Sequence, residues 1–95
     1  MLITVSGRGL EVTPALRDYV AAQLSKLQHH FDNITDTAVI LSVESRVQKV
    51  EGTVHVAGAS VSALSEDQDI YAAVGSLADK LDRQLIRHKA KVKER

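Results

Sequence analysis

The sequence predicts an α+β domain with the order β-α-β-β-β-α, a four-stranded mixed sheet carrying two helices packed on one face. Two stretches repeat apolar residues every three or four positions, the helical period, and four short runs are rich in β-branched residues. A strand-helix-strand start makes the first two strands parallel through a right-handed crossover, and short turns make the later pairs antiparallel. Ninety-five residues, 44% of them hydrophobic, suit one domain over residues 1–95. Its core must be aliphatic, because the chain has one Phe, two Tyr and no Trp.

Leu2-Ile3-Thr4-Val5-Ser6 reads as the first strand, ended by the loop signal Gly7-Arg8-Gly9. Thr13 is placed as an N-cap with Pro14 at the first helical position. Leu16, Val20, Leu24, Leu27 and Phe31 then share one helical face, and Asp32-Asn33 closes that helix. Residues 37–44 form the second strand, with Val39, Leu41 and Val43 on one side. Polar residues 45–49 read as a hairpin loop. Val50, Gly52, Val54 and Val56 line one side of the third strand, Gly58 marks a turn, and residues 60–64 form the fourth.

Ser65 and Gln68 have the spacing of a capping box. Ile70, Val74, Leu77, Leu81 and Leu85 follow as an apolar stripe, so a helix is expected over residues 66–90. At roughly 36 Å it should overhang strands of five or six residues, which span roughly 17–20 Å. Gly75 in its interior costs about 1 kcal/mol relative to Ala, and nothing in the sequence accounts for it.

A net charge of zero hides a polarised chain. Residues 80–95 carry seven Lys/Arg against two Asp/Glu, a net +5, and residues 1–79 carry five against ten, a net −5. Lys80, Arg83, Arg87 and Lys91 fall within about 80° of one another on the last helix and flank its apolar stripe. Such a ridge can follow a phosphate backbone without reading a base. Complementing the helix dipole explains one or two cations in the last turn, not seven, and a solvated face ordinarily mixes signs. With Phe31 on a core stripe and only Tyr19 and Tyr71 to spare, base stacking is disfavoured. Structured RNA, read by shape and backbone charge, is the expected partner.

Other constellations carry no chemistry. His29, His30, His55 and His88 make no i,i+4 pair, and the absence of cysteine excludes disulfides and thiolate metal sites. Glu66, Asp67 and Asp69 read as charges complementing the N-terminus of the last helix rather than as a calcium loop. Gly7-Arg8-Gly9 is no dinucleotide fingerprint, so loop geometry explains its glycines and Arg8 is at most a peripheral phosphate contact. His88, between Arg87 and Lys89, adds charge near RNA. Neither catalysis nor a cofactor is expected. Arg8, Glu11, Arg17 and Asp18 interrupt the first twenty residues, so no signal peptide or membrane span is expected and the location is cytoplasmic.

Ile3-Thr4-Val5-Ser6-Gly7, the segment Val12-Thr13-Pro14-Ala15-Leu16-Arg17-Asp18-Tyr19-Val20, Lys26-Leu27 and Phe31-Asp32 together resemble the bacterial ribosome hibernation promoting factors. Ser42-Val43-Glu44, His55-Val56-Ala57-Gly58 and Asp69-Ile70-Tyr71-Ala72-Ala73-Val74 are similar too, as is the run from Asp79 to Lys89. These motifs span essentially the whole chain. The resemblance to this ribosome-associated inhibitor and sigma-54 modulation family implies the same fold and a seat on the small ribosomal subunit. There the domain would fill the channel for messenger RNA and the aminoacyl- and peptidyl-site transfer RNAs, blocking translation in stationary or starved cells. It carries ribosomal-RNA contact onto Lys80, Arg83, Arg87, Lys89 and Lys91. With only residues 92–95 after the motif, the chain resembles the short form. That form acts with a separate ribosome modulation factor to promote ribosome dimers and is a monomer when free. Two other readings are a transcription modulator acting on a sigma factor and a general structured-RNA binder.

Overall fold

The computed structural model describes residues 2–29, 31 and 33–93, with side chains of the last helix given through Lys89. Strand β1 (Leu2–Arg8) leads to helix α1 (Pro14–Ser25) and a 3-10 turn (Lys26–His29). Strands β2 (Ile34–Glu44), β3 (Val47–Val56) and β4 (Ala59–Asp67) follow, and helix α2 (Ile70–Lys93) ends the fold. The sheet order is β1-β2-β3-β4, with β1 and β2 parallel and the other pairs antiparallel. The α1 crossover makes the parallel pair possible, since a short turn cannot return the chain to the same end of the sheet.

Both helices cover one face. Leu16, Val20 and Leu24 of α1, with Leu27 of the 3-10 turn, meet Val5, Val39 and Leu41 in a single core. Val50, Val54 and α2 residues Val74, Leu77, Leu81 and Leu85 complete it, all fully buried. Thr13 accepts the Leu16 N–H at 3.2 Å and caps α1, with Pro14 at its first turn. Gly52 sits between Val39 and Ala63 in the sheet. A Cβ there would lie 3.0 Å from Leu77 Cδ2 and 3.1 Å from Leu81 Cδ1, so the missing side chain sets how closely α2 approaches. The other face has no helix over it, and one of its cross-strand rows is Thr4, Ala38, Thr53 and Ser62.

Several boundaries differ from expectation, mostly because polar residues continue the strands. Only Ser45 and Arg46 connect β2 to β3, and Gln48 and Lys49 pair with Val43 and Ser42. Ser45 adopts φ +56°, a backbone state that glycine favours. Strand β4 runs on to Asp67, and Ser65 is buried opposite Val50, so it caps nothing. Helix α2 instead begins at Ile70, capped by Asp69, whose carboxylate accepts the Tyr71 N–H at 3.0 Å. The Asp69 N–H in turn donates to the Asp67 carboxylate at 2.9 Å. Glu66 and Asp67 are strand residues, and the first turn of α2 holds no acid.

Helix α1 ends at Ser25 rather than near Phe31, which lies beyond the 3-10 turn and packs half-buried on the core. Asp32, expected to close that helix, lies outside the described residues. Gly7 and Arg8 belong to β1. A Cβ on Gly7 would stand 2.7 Å from the Leu10 carbonyl oxygen, so close approach of the returning chain explains it, whereas Gly9 at φ +74° serves the turn. The strands run seven to eleven residues, longer than expected, so a short sheet does not cause any overhang. The end of α2 leaves the core for another reason: among its described side chains, Leu85 is the last one fully buried.

Candidate nucleic-acid interface

The roll of α2 about its axis decides what its charged side chains face. With Leu77, Leu81 and Leu85 against the sheet, the helical period puts Lys80, Arg83 and Arg87 on one flank. Tyr71, Gly75 and Lys89 fall on the other. Two contacts identify these flanks. The Tyr71 ring meets Tyr19 of α1 edge-on, centroids 4.9 Å apart at 71°, so the tyrosine flank borders α1. The Lys80 ammonium donates to the Leu64 carbonyl oxygen at 2.8 Å, so the basic flank borders β4.

Lys80, Arg83 and Arg87 are exposed and about one turn apart. Asp79 lies one turn before Arg83, yet among the described residues neither Arg83 nor Arg87 has an ion-pair partner. Two guanidinium groups in water with no carboxylate to neutralise them form a field that a line of phosphates satisfies. Lys91 continues the ridge by helical angle, but its side chain lies outside the described ones.

The remaining candidates lie elsewhere. Lys89 is exposed on the α1 flank, about 120–180° around the helix from the ridge residues. His88 points toward the core, half-buried, with its ring centroid 6.2 Å from that of Phe31. Arg8 ends β1 on the uncovered sheet face, in the row Arg8, Ser42, Lys49 and Glu66. That row lies at the end of the sheet where α2 begins, so Arg8 is on the opposite face and at the opposite end from Arg87. One ridge therefore emerges, not a seven-residue cluster.

The molecule extends 45 Å on its longest axis, and the ridge lies toward the end of α2. Where α2 starts, Glu44, Glu66, Asp67 and Asp69 stand among Arg8, Arg46 and Lys49, so charge there is mixed. Tyr19 and Tyr71 meet edge to face on the α1 flank, so neither offers a stacking platform beside the ridge. Among the described residues no group of His, Asp or Glu could hold a metal ion. No described helix is long and apolar enough to cross a membrane. The sequence reading missed that the ridge runs beside an edge strand, because strand order and helix roll are tertiary facts.

The fold has close counterparts. Residues 3–93 match the family described as sigma 54 modulation protein / S30EA ribosomal protein. The chain belongs to that family. A ribosome hibernation promoting factor of Azotobacter vinelandii is 56% identical over 95 residues, covering 100% of this chain and 89% of the relative. The protein of the same name from Escherichia coli K12 is 43% identical over 94 residues, covering 99% of each. A ribosomal subunit interface protein of Coxiella burnetii superposes with a TM-score of 0.90 at 31% identity, over 95% of this chain and 99% of that one. The N-terminal domain of Protein Y from Thermus thermophilus gives 0.87 at 36% identity, over 93% and 99%. Both solved structures thus share the fold found in the chain.

Proposed function

We propose that this protein is a ribosome hibernation factor that binds the small ribosomal subunit through the α2 ridge. The observation that carries the reading is the line of Lys80, Arg83 and Arg87 beside β4, with both arginines unneutralised among the described residues. Phosphates of ribosomal RNA are the ligand class such a line suits, and a ridge with no tyrosine beside it suits folded RNA. Seated in the channel for messenger and transfer RNA, the domain blocks translation in stationary phase. It promotes ribosome dimers together with a separate modulation factor, and in the cytoplasm it is a monomer when not bound. Relatives named for ribosome hibernation support this assignment over a generic RNA binder.

The family description also names sigma-54 modulation, and an acidic protein surface would suit the same cations. Sucrose-gradient sedimentation of stationary-phase lysates separates these readings. The protein is expected with small subunits and ribosome dimers. Recovery only in free or polymerase-containing fractions would reject the hibernation reading.

A further inference from the structure

The ridge borders a strand edge that nothing in the sheet covers. β4 is the last strand, and β3 pairs with it on one side only. In an antiparallel pair, alternate residues turn both backbone groups toward the partner or away from it. The Ala57-Gly58 turn closes on the pair Val56 and Ala59, which fixes Ala59, Val61, Ala63 and Ser65 as the residues bonded to β3. Ser60, Ser62 and Leu64 therefore aim their N–H and C=O outward. The Lys80 bond to the Leu64 oxygen agrees with this parity.

All three residues are exposed, and among the described residues their N–H groups have no acceptor. The edge also lacks the usual protections, since residues 59–65 include no proline and no charged side chain. Pairing with a second copy of the same edge is disfavoured, because it would bring two rows of Lys80, Arg83 and Arg87 together.

We infer that the β4 edge is a second, neutral half of the RNA interface, a reading that rests on the ridge binding ribosomal RNA. The N–H groups of Ser60, Ser62 and Leu64, aided by the Ser60 and Ser62 hydroxyls, donate to phosphate oxygens beside those held by Arg83 and Arg87. The outward carbonyls accept from ribose 2′-hydroxyls, a group that DNA lacks. Ser60 and Ser62 thus each offer one donor and one acceptor, and Leu64, whose carbonyl already accepts from Lys80, offers its N–H. The cations draw RNA in and the edge sets its register.

Proline tests this directly, because at an outward-facing edge position it removes a donor without breaking a ladder bond. Ser62→Pro and Ser60→Pro are compared with Arg83→Gln/Arg87→Gln for binding to purified small subunits across a salt series, with melting recorded for each. The proline variants should melt as the parent does and bind about tenfold more weakly with an unchanged salt slope. The arginine variant should lower that slope by roughly 1.5. Parent-like binding by both folded proline variants, with binding lost in the arginine variant, would overturn the edge assignment and leave the ridge standing. Parent-like binding and slope in the arginine variant would reject the ridge itself. A photoreactive group at position 62 should cross-link to RNA in the complex, and a cross-link to a ribosomal protein instead would overturn the assignment in favour of strand addition by a peptide.

Discussion

The first half of α2 places Ala73, Val74, Leu77, Ala78 and Leu81 in the core. The second half, among its described side chains, places only Leu85 there and carries Arg83, Arg87 and Lys89 in water. One continuous helix thus joins a folding element to a charged rod. The rod gains its rigidity from the half that packs. Substitutions at the buried positions of the first half should change stability, and substitutions on the ridge should change binding.

The largest expected loss of stability is in the first half. Leu77→Ala removes a fully buried side chain that lies over Gly52, and should cost about 2–5 kcal/mol in denaturant unfolding. Gly52→Ala attacks the same contact from the sheet side. Its Cβ would press on Leu77 and Leu81 at about 3 Å, and overpacking should cost about 1–3 kcal/mol. If Gly52→Ala proved neutral, the close seat of α2 on β3 would not be as described.

Asp69→Ala removes the cap that accepts the Tyr71 N–H and should cost about 1 kcal/mol by the same assay. Ser65→Ala serves as the contrast, since Ser65 is a strand residue and its loss should leave helix capping untouched. The smallest effect has the opposite sign. A Cβ on Gly75 would lie 3.9 Å from the Tyr19 hydroxyl oxygen, an ordinary contact. Gly75→Ala should therefore stabilise by about 0.5–1 kcal/mol, seen as a raised melting temperature.

Element order and the core stripe were legible because burial imposes a period on apolar residues. Leu16, Val20, Leu24 and Leu77, Leu81, Leu85 need only be counted to be placed. Strand ends were not legible, because the uncovered sheet face exerts no such demand. Lys49 continues a strand while reading as loop, and Glu66 continues one while reading as the start of a helix. Ser65 shows the same ambiguity, since a buried strand serine and a helix-capping serine are identical in sequence. For the site, helical angle alone aligned Lys80, Arg83 and Arg87. It could not say that Arg8 would end on the opposite face, that His88 would turn toward Phe31, or that β4 would border the ridge. Those depend on strand order and on how α2 rolls against the sheet.

The central claim is that the ridge binds RNA without supporting the fold. Its most direct test is Lys80→Glu/Arg83→Glu/Arg87→Glu, measured for melting and for binding to purified small subunits across a salt series. The expected result is a variant that stays folded, since these side chains are exposed and the Lys80–Leu64 bond it loses costs only about 1 kcal/mol, and that no longer binds. Binding with the parent's affinity and the parent's salt dependence would contradict the account.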